Sequence, residues 1–156
     1  MIDRRDTMAP VMSDQHVDKI ESVLPGRWDV PALKAGASVC LVFAIPFRII
    51  AFLVDSDSSG LNFVFFALFV SFFVIGSGCA AWVQRVGTPI SHGLVTALGT
   101  YAAAEVVFVA IRFIRGTDIP WLGLMFTMSF VSLAGLIGGF LGSRLRAQGM
   151  RPSSQR

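Results

Sequence analysis

Four long apolar runs, separated by short polar stretches, organise the chain. They cover about residues 33–54, 61–83, 90–111 and 119–142. At 1.5 Å per helical residue, about 20 residues cross a hydrocarbon core of roughly 30 Å. The runs are continuous and lack the alternation of barrel strands. A backbone in lipid must satisfy its own hydrogen bonds, which a helix does. The pattern predicts an all-α membrane protein, four transmembrane helices in a bundle. Asp29-Val30-Pro31, Thr88-Pro89 and Asp118-Ile119-Pro120 read as helix starts. Each joins a capping residue to a first-turn proline, whose missing N–H costs nothing there. Pro46 lies inside the first run, where it predicts a kink.

Within the runs, residue size is patterned. The second opens with Phe63, Phe65, Phe66, Phe69, Phe72 and Phe73, bulk that suits lipid contact. It closes on small residues, Gly76 and Gly78 among them. The fourth closes on Gly135/Gly139 and Gly138/Gly142, two overlapping pairs at the spacing that lets helix backbones meet. Packing within the chain is the expected use, with dimerisation second. Trp28, Trp82 and Trp121 stand at run ends as interface anchors.

Residues 1–29 form a polar arm and residues 144–156 a basic tail, around a membrane domain at 30–143. In the arm, Ser13 caps a stretch at 14–24 with Val17, Ile20 and Leu24 on one side. That stretch reads either as part of a loose cytoplasmic arm or as a short interfacial helix anchored by Trp28.

Composition supports lipid as the solvent. Hydrophobic residues make up 54% and charged residues 15%, against about 25% charged in soluble domains. The net charge of +3 comes from basic residues at the chain ends and between runs, so nucleic acid is not an expected partner. Ten Lys and Arg fall on one side of the four-span topology, and only Arg112 and Arg115 on the other. Positive-inside logic puts both termini in the cytoplasm. Cys40 and Cys79 lie inside runs and form no CxxC or Cys/His cluster; they read as small packing residues. No cofactor is expected. No Ser/His pair, HExxH or basic phosphatase-like cluster is present, so enzymatic chemistry has no candidate.

Two ionisable residues sit deep in apolar sequence, Arg48 in the first run and Glu105 in the third. Those runs point the same way, and each residue is six short of its run's far end. Six residues rise about 9 Å, so the two share a depth. An unpaired Arg at a span centre costs roughly 2.5–3.5 kcal/mol on insertion scales. A direct Arg48–Glu105 pair is the favoured arrangement, with Tyr101 as a hydrogen-bond neighbour one turn from Glu105. Snorkelling of Arg48 and an aqueous cavity lined by both residues are the alternatives. His92, just inside the third run, reads as an interfacial histidine solvated from the cytoplasm.

These features point first to a non-enzymatic accessory, scaffold or assembly protein, whose partners are the bilayer and a homo-oligomer or larger membrane complex. The second reading is a small transporter or channel working through Glu105 and Arg48, because an intramembrane carboxylate can relay protons. Gly76/Gly78/Ala80, His92-Gly93 and Gly138-Gly139/Gly142/Arg144 resemble the landmarks of a loose group of small bacterial four-helix membrane proteins of unknown function. The resemblance covers the last three runs. It implies the bacterial cytoplasmic (inner) membrane and no activity.

Overall fold

A computed structural model describes residues 28–54 and 59–150. The expected interfacial helix at 14–24 and the end of the basic tail lie outside the described residues. Four α-helices appear: α1 (Val30–Val54), α2 (Ser59–Val83), α3 (Pro89–Ile114) and α4 (Trp121–Ala147). They hold 25 to 27 residues, or about 37–40 Å at 1.5 Å per residue. Each is long and apolar enough to cross a membrane. α1 continues through Pro46.

Helix starts obey the sequence signals unevenly. Asp29 caps α1, its Oδ1 accepting from Ala32 N at 3.2 Å. Thr88 occupies the cap position of α3, but its hydroxyl makes no cap bond and faces His92 Nδ1 at 3.1 Å. Asp118 does not cap α4. Pro120 has ψ 74°, outside the helical range, so the helix starts at Trp121 and Asp118 is too far back to reach its first turn. The Asp118 carbonyl instead accepts from Arg112 Nη1 at 3.1 Å.

α2 and α3 form the short diagonal of a rhombus. α1 and α4 each pack against both and, among the described residues, do not touch one another. Residues 29, 85 and 150 gather at one end, the near end. There Asp29 Oδ2 accepts from Arg85 N at 2.9 Å, and Trp82 Nε1 donates to the Met150 carbonyl at 2.7 Å.

Residue size makes the two halves of the bundle unlike. In the near half the helices meet almost backbone to backbone, as small residues allow without a hydrophobic driving force. A Cβ on Gly36 would stand 2.6 Å from the Gly76 carbonyl oxygen, and one on Gly93 2.7 Å from Gly139 Cα. On Gly142 it would stand 2.5 Å from the Gly78 carbonyl oxygen. The overlapping Gly pairs of α4 are therefore used inside the chain, against α2 and α3. Ser77 joins this seam, donating to the Phe73 carbonyl of its own helix at 2.6 Å, with the Ala134 carbonyl of α4 at 3.3 Å.

In the far half, aromatic rings hold the helices apart. The expectation of lipid contact for the Phe-rich part of α2 applies to Phe63, which is 71% exposed. It fails for Phe73, which is 2% exposed, and for the rings that wedge between helices. Phe72 stacks on Phe43 of α1 at 5.3 Å, Phe65 meets Phe47 at 5.2 Å, and Phe66 meets Phe130 of α4 at 5.2 Å. Six rings spread over about three turns of α2, at positions 63, 65, 66, 69, 72 and 73, cannot share one face, so some turn inward. Ring pairs of this kind contribute about 0.5–1.5 kcal/mol each beyond their buried area.

Candidate functional site: an ion pair between two cavities

Where the rings part the helices, Arg48 and Glu105 meet. Arg48 Nη1 donates to Glu105 Oε1 at 2.5 Å. The Arg48 guanidinium also lies over the Phe108 ring, 4.5 Å from its centre, a cation–π contact. The Glu105 side chain is 11% exposed and that of Arg48 38%. Oε1 is thus held by a charge-assisted bond.

Tyr101, one turn before Glu105 and 4% exposed, donates to the Leu124 carbonyl of α4 at 3.3 Å, and the Glu105 carboxylate is also within its hydrogen-bonding reach. Two cavities flank this bond. One, of about 310 Å³, lies among all four helices and is bordered by Phe47, Arg48, Phe65, Glu105 and Thr127. The other, of about 730 Å³, is a groove between α3 and α4 lined by Val106, Val109, Phe113, Trp121, Met125 and Met128. Tyr101, Glu105 and Leu124 border both.

A second polar cluster locks the near end. His92 is fully buried rather than solvated. Its Nε2 accepts from Asp29 N at 2.9 Å, so the ring proton sits on Nδ1 and donates to the Thr88 carbonyl, 2.9 Å away. Trp28 covers the ring at 5.4 Å. Gln84 is also fully buried; its Oε1 accepts from Gly87 N at 2.8 Å, and its carbonyl accepts from Arg146 Nη1 at 2.6 Å. Gly87 turns the chain with φ +86°, a value that suits glycine. Asp29 is the hub, capping α1 with one oxygen and holding the α2–α3 connection with the other. The sequence marked Asp29 only as a cap and placed His92 in solvent. The signal that could have joined them is a polar residue at each of two helix starts on the same side of the bundle.

Trp82 is tied by its indole N–H, and Trp121 stands 62% exposed at the start of α4. Cys40 and Cys79 are free thiols, Cys40 fully buried against the Gly76 seam. Among the described residues, no cluster of His, Cys, Asp or Glu could hold a metal ion.

These features define a class: a helical bundle whose four helices are each long and apolar enough to span a membrane. Beyond the class, no family model matches the sequence, and no curated protein or solved structure matches it either.

Proposed function

We propose that the chain is a multi-pass protein of the bacterial cytoplasmic membrane, with both termini in the cytoplasm, and that it acts as a non-enzymatic accessory or assembly component. The observation that carries this is the use of the interior. The helix seams are filled by glycine, alanine and serine at backbone distance, and the one membrane-depth acid is neutralised by Arg48. A body built this way offers its lipid-facing surface, not a reactive group, to other molecules. The basic residues at the near end support the orientation.

The charge exchange Arg48→Glu with Glu105→Arg tests the structural role of the pair. The exchanged protein should extract from membranes as folded as the parent, while each single change extracts poorly. An exchanged protein no better than the single variants removes this support. For orientation, a cysteine at Thr117 should react with an impermeant maleimide added to intact spheroplasts, and one at Ser153 should not; the reverse pattern overturns it.

The cavities beside Glu105 favour a second reading, a small transporter or channel. Proton-dependent flux into proteoliposomes, abolished by Glu105→Gln, would replace the accessory reading.

A further inference from the structure

The pair and its two cavities have the chemistry of a binding site. Arg48 carries five N–H donors in a rigid fork, and the pair uses Nη1. Arg48 also borders the 310 Å³ cavity among the four helices. Glu105 commits Oε1 to Arg48, which leaves its second carboxylate oxygen outside that bond. The site therefore offers guanidinium donors beyond Nη1 beside a carboxylate oxygen whose two lone pairs can take a further donor, and its own charge sums to zero. A singly charged ligand would leave uncompensated charge in a low-dielectric setting, which is costly. A zwitterion would not, and its two ends would meet opposite charges.

The neighbouring groove gives the rest of the ligand. It is apolar, lies between α3 and α4 within the membrane-length helices, and has about 730 Å³ of room, within the range of roughly 300–1,000 Å³ usual for small-molecule sites. Met125 and Met128, flexible and unbranched, line it. Polar cavity and apolar groove meet at Tyr101, Glu105 and Leu124. One molecule with a zwitterionic head and a hydrocarbon tail fits both.

We propose that this site binds a phospholipid of the ethanolamine type. The phosphate lies against Arg48, the ammonium donates to Glu105 Oε2, and an acyl chain fills the α3–α4 groove. This goes beyond the accessory reading and does not depend on it; it rests on the membrane placement alone.

The test uses the full chain purified in a mild detergent, with lipid retention read by native mass spectrometry. Phosphatidylethanolamine, phosphatidylglycerol and phosphatidylcholine with identical acyl chains are compared, and soluble glycerophosphoethanolamine serves as competitor. The ethanolamine lipid should be retained about tenfold more tightly than the glycerol lipid, as one charge-assisted hydrogen bond implies. The choline lipid should fall below it, because a quaternary ammonium has no N–H to donate. Glu105→Gln should erase the preference by removing the charge at Oε2. Thr127→Leu, which adds bulk to the central cavity and keeps both charges of the pair, should lower ethanolamine-lipid retention while leaving the protein folded. Equal retention of ethanolamine and glycerol lipids by the parent chain overturns the proposal. So does ethanolamine-lipid retention that Thr127→Leu leaves unchanged. Displacement of the lipid by glycerophosphoethanolamine at equal concentration would assign the site to a soluble zwitterion, and overturn the lipid as ligand.

Discussion

Replacing Gly138 with alanine adds one methyl group where α2 and α4 meet. An ideal Cβ there would collide with Ser77 Oγ and the Val74 carbonyl oxygen, and would stand 2.8 Å from Gly78 N. Two of these three obstacles are backbone atoms, so no rotamer change clears them. Ordinary contact needs about 3.4–4 Å, so α2 and α4 must part by roughly 1 Å. A gap of that size forfeits a quarter to a half of each dispersion well across the seam. Overpacking of this kind costs about 1–3 kcal/mol, and two backbone obstacles put Gly138→Ala at the upper end, about 2–3 kcal/mol. Gly99 supplies the control. It lies on the same kind of helix, and a Cβ there meets nothing within 4 Å. Gly99→Ala should be neutral or stabilising by up to about 1 kcal/mol, the helix propensity difference. Reversible unfolding of both variants in mixed detergent–SDS micelles, followed by far-UV circular dichroism, gives the comparison. If the two variants unfold at the same SDS fraction, the backbone-contact seam is wrong.

Two further perturbations have definite outcomes. Glu105→Leu strands Arg48, which cannot deprotonate, whereas Arg48→Met leaves a carboxylate that can take up a proton. Glu105→Leu should be the costlier change, at about 1–2 kcal/mol, below the 3–5 kcal/mol of a fully buried broken pair because Arg48 is 38% exposed. The double variant should recover part of the loss, and strictly additive unfolding energies would show that the two side chains do not interact. At the near end, His92→Phe keeps the ring but orphans the Asp29 N–H, and should cost about 1–3 kcal/mol. Its readout is faster proteolysis of the α2–α3 connection, and an unchanged cleavage rate would mean the histidine does not hold that end.

Much of the architecture was legible because lipid imposes a simple grammar. Run length and hydropathy located four helices, and counting residues from run ends put Arg48 and Glu105 at one depth. What escaped depended on direction and on partners far away in the chain. The bond from Asp29 to His92 joins residues 63 apart, and nothing local to either announces it. Gly36 and Gly93 stand outside any GxxxG pair, yet contact depends on the facing backbone and not on a second glycine in the same helix. Asp118-Ile119-Pro120 repeats the Asp-x-Pro pattern of Asp29-Val30-Pro31 and behaves differently, because the backbone angle at Pro120 delays the helix. The Phe cluster was read as lipid-facing from bulk alone, whereas a helix distributes bulk around its axis.

The spacing of the ion pair also has a consequence for synthesis. Arg48 precedes Glu105 by 57 residues, so at about 5–20 residues per second the ribosome needs roughly 3–11 s between them. During that interval α1 carries a charge whose counterion has not been made. Release into open bilayer would cost roughly 2.5–3.5 kcal/mol for an Arg at full depth. The first hairpin is therefore better held beside the insertion machinery until α3 emerges. The order of assembly is written into the distance between two charges, and a slower ribosome or a longer loop before α3 would extend the wait.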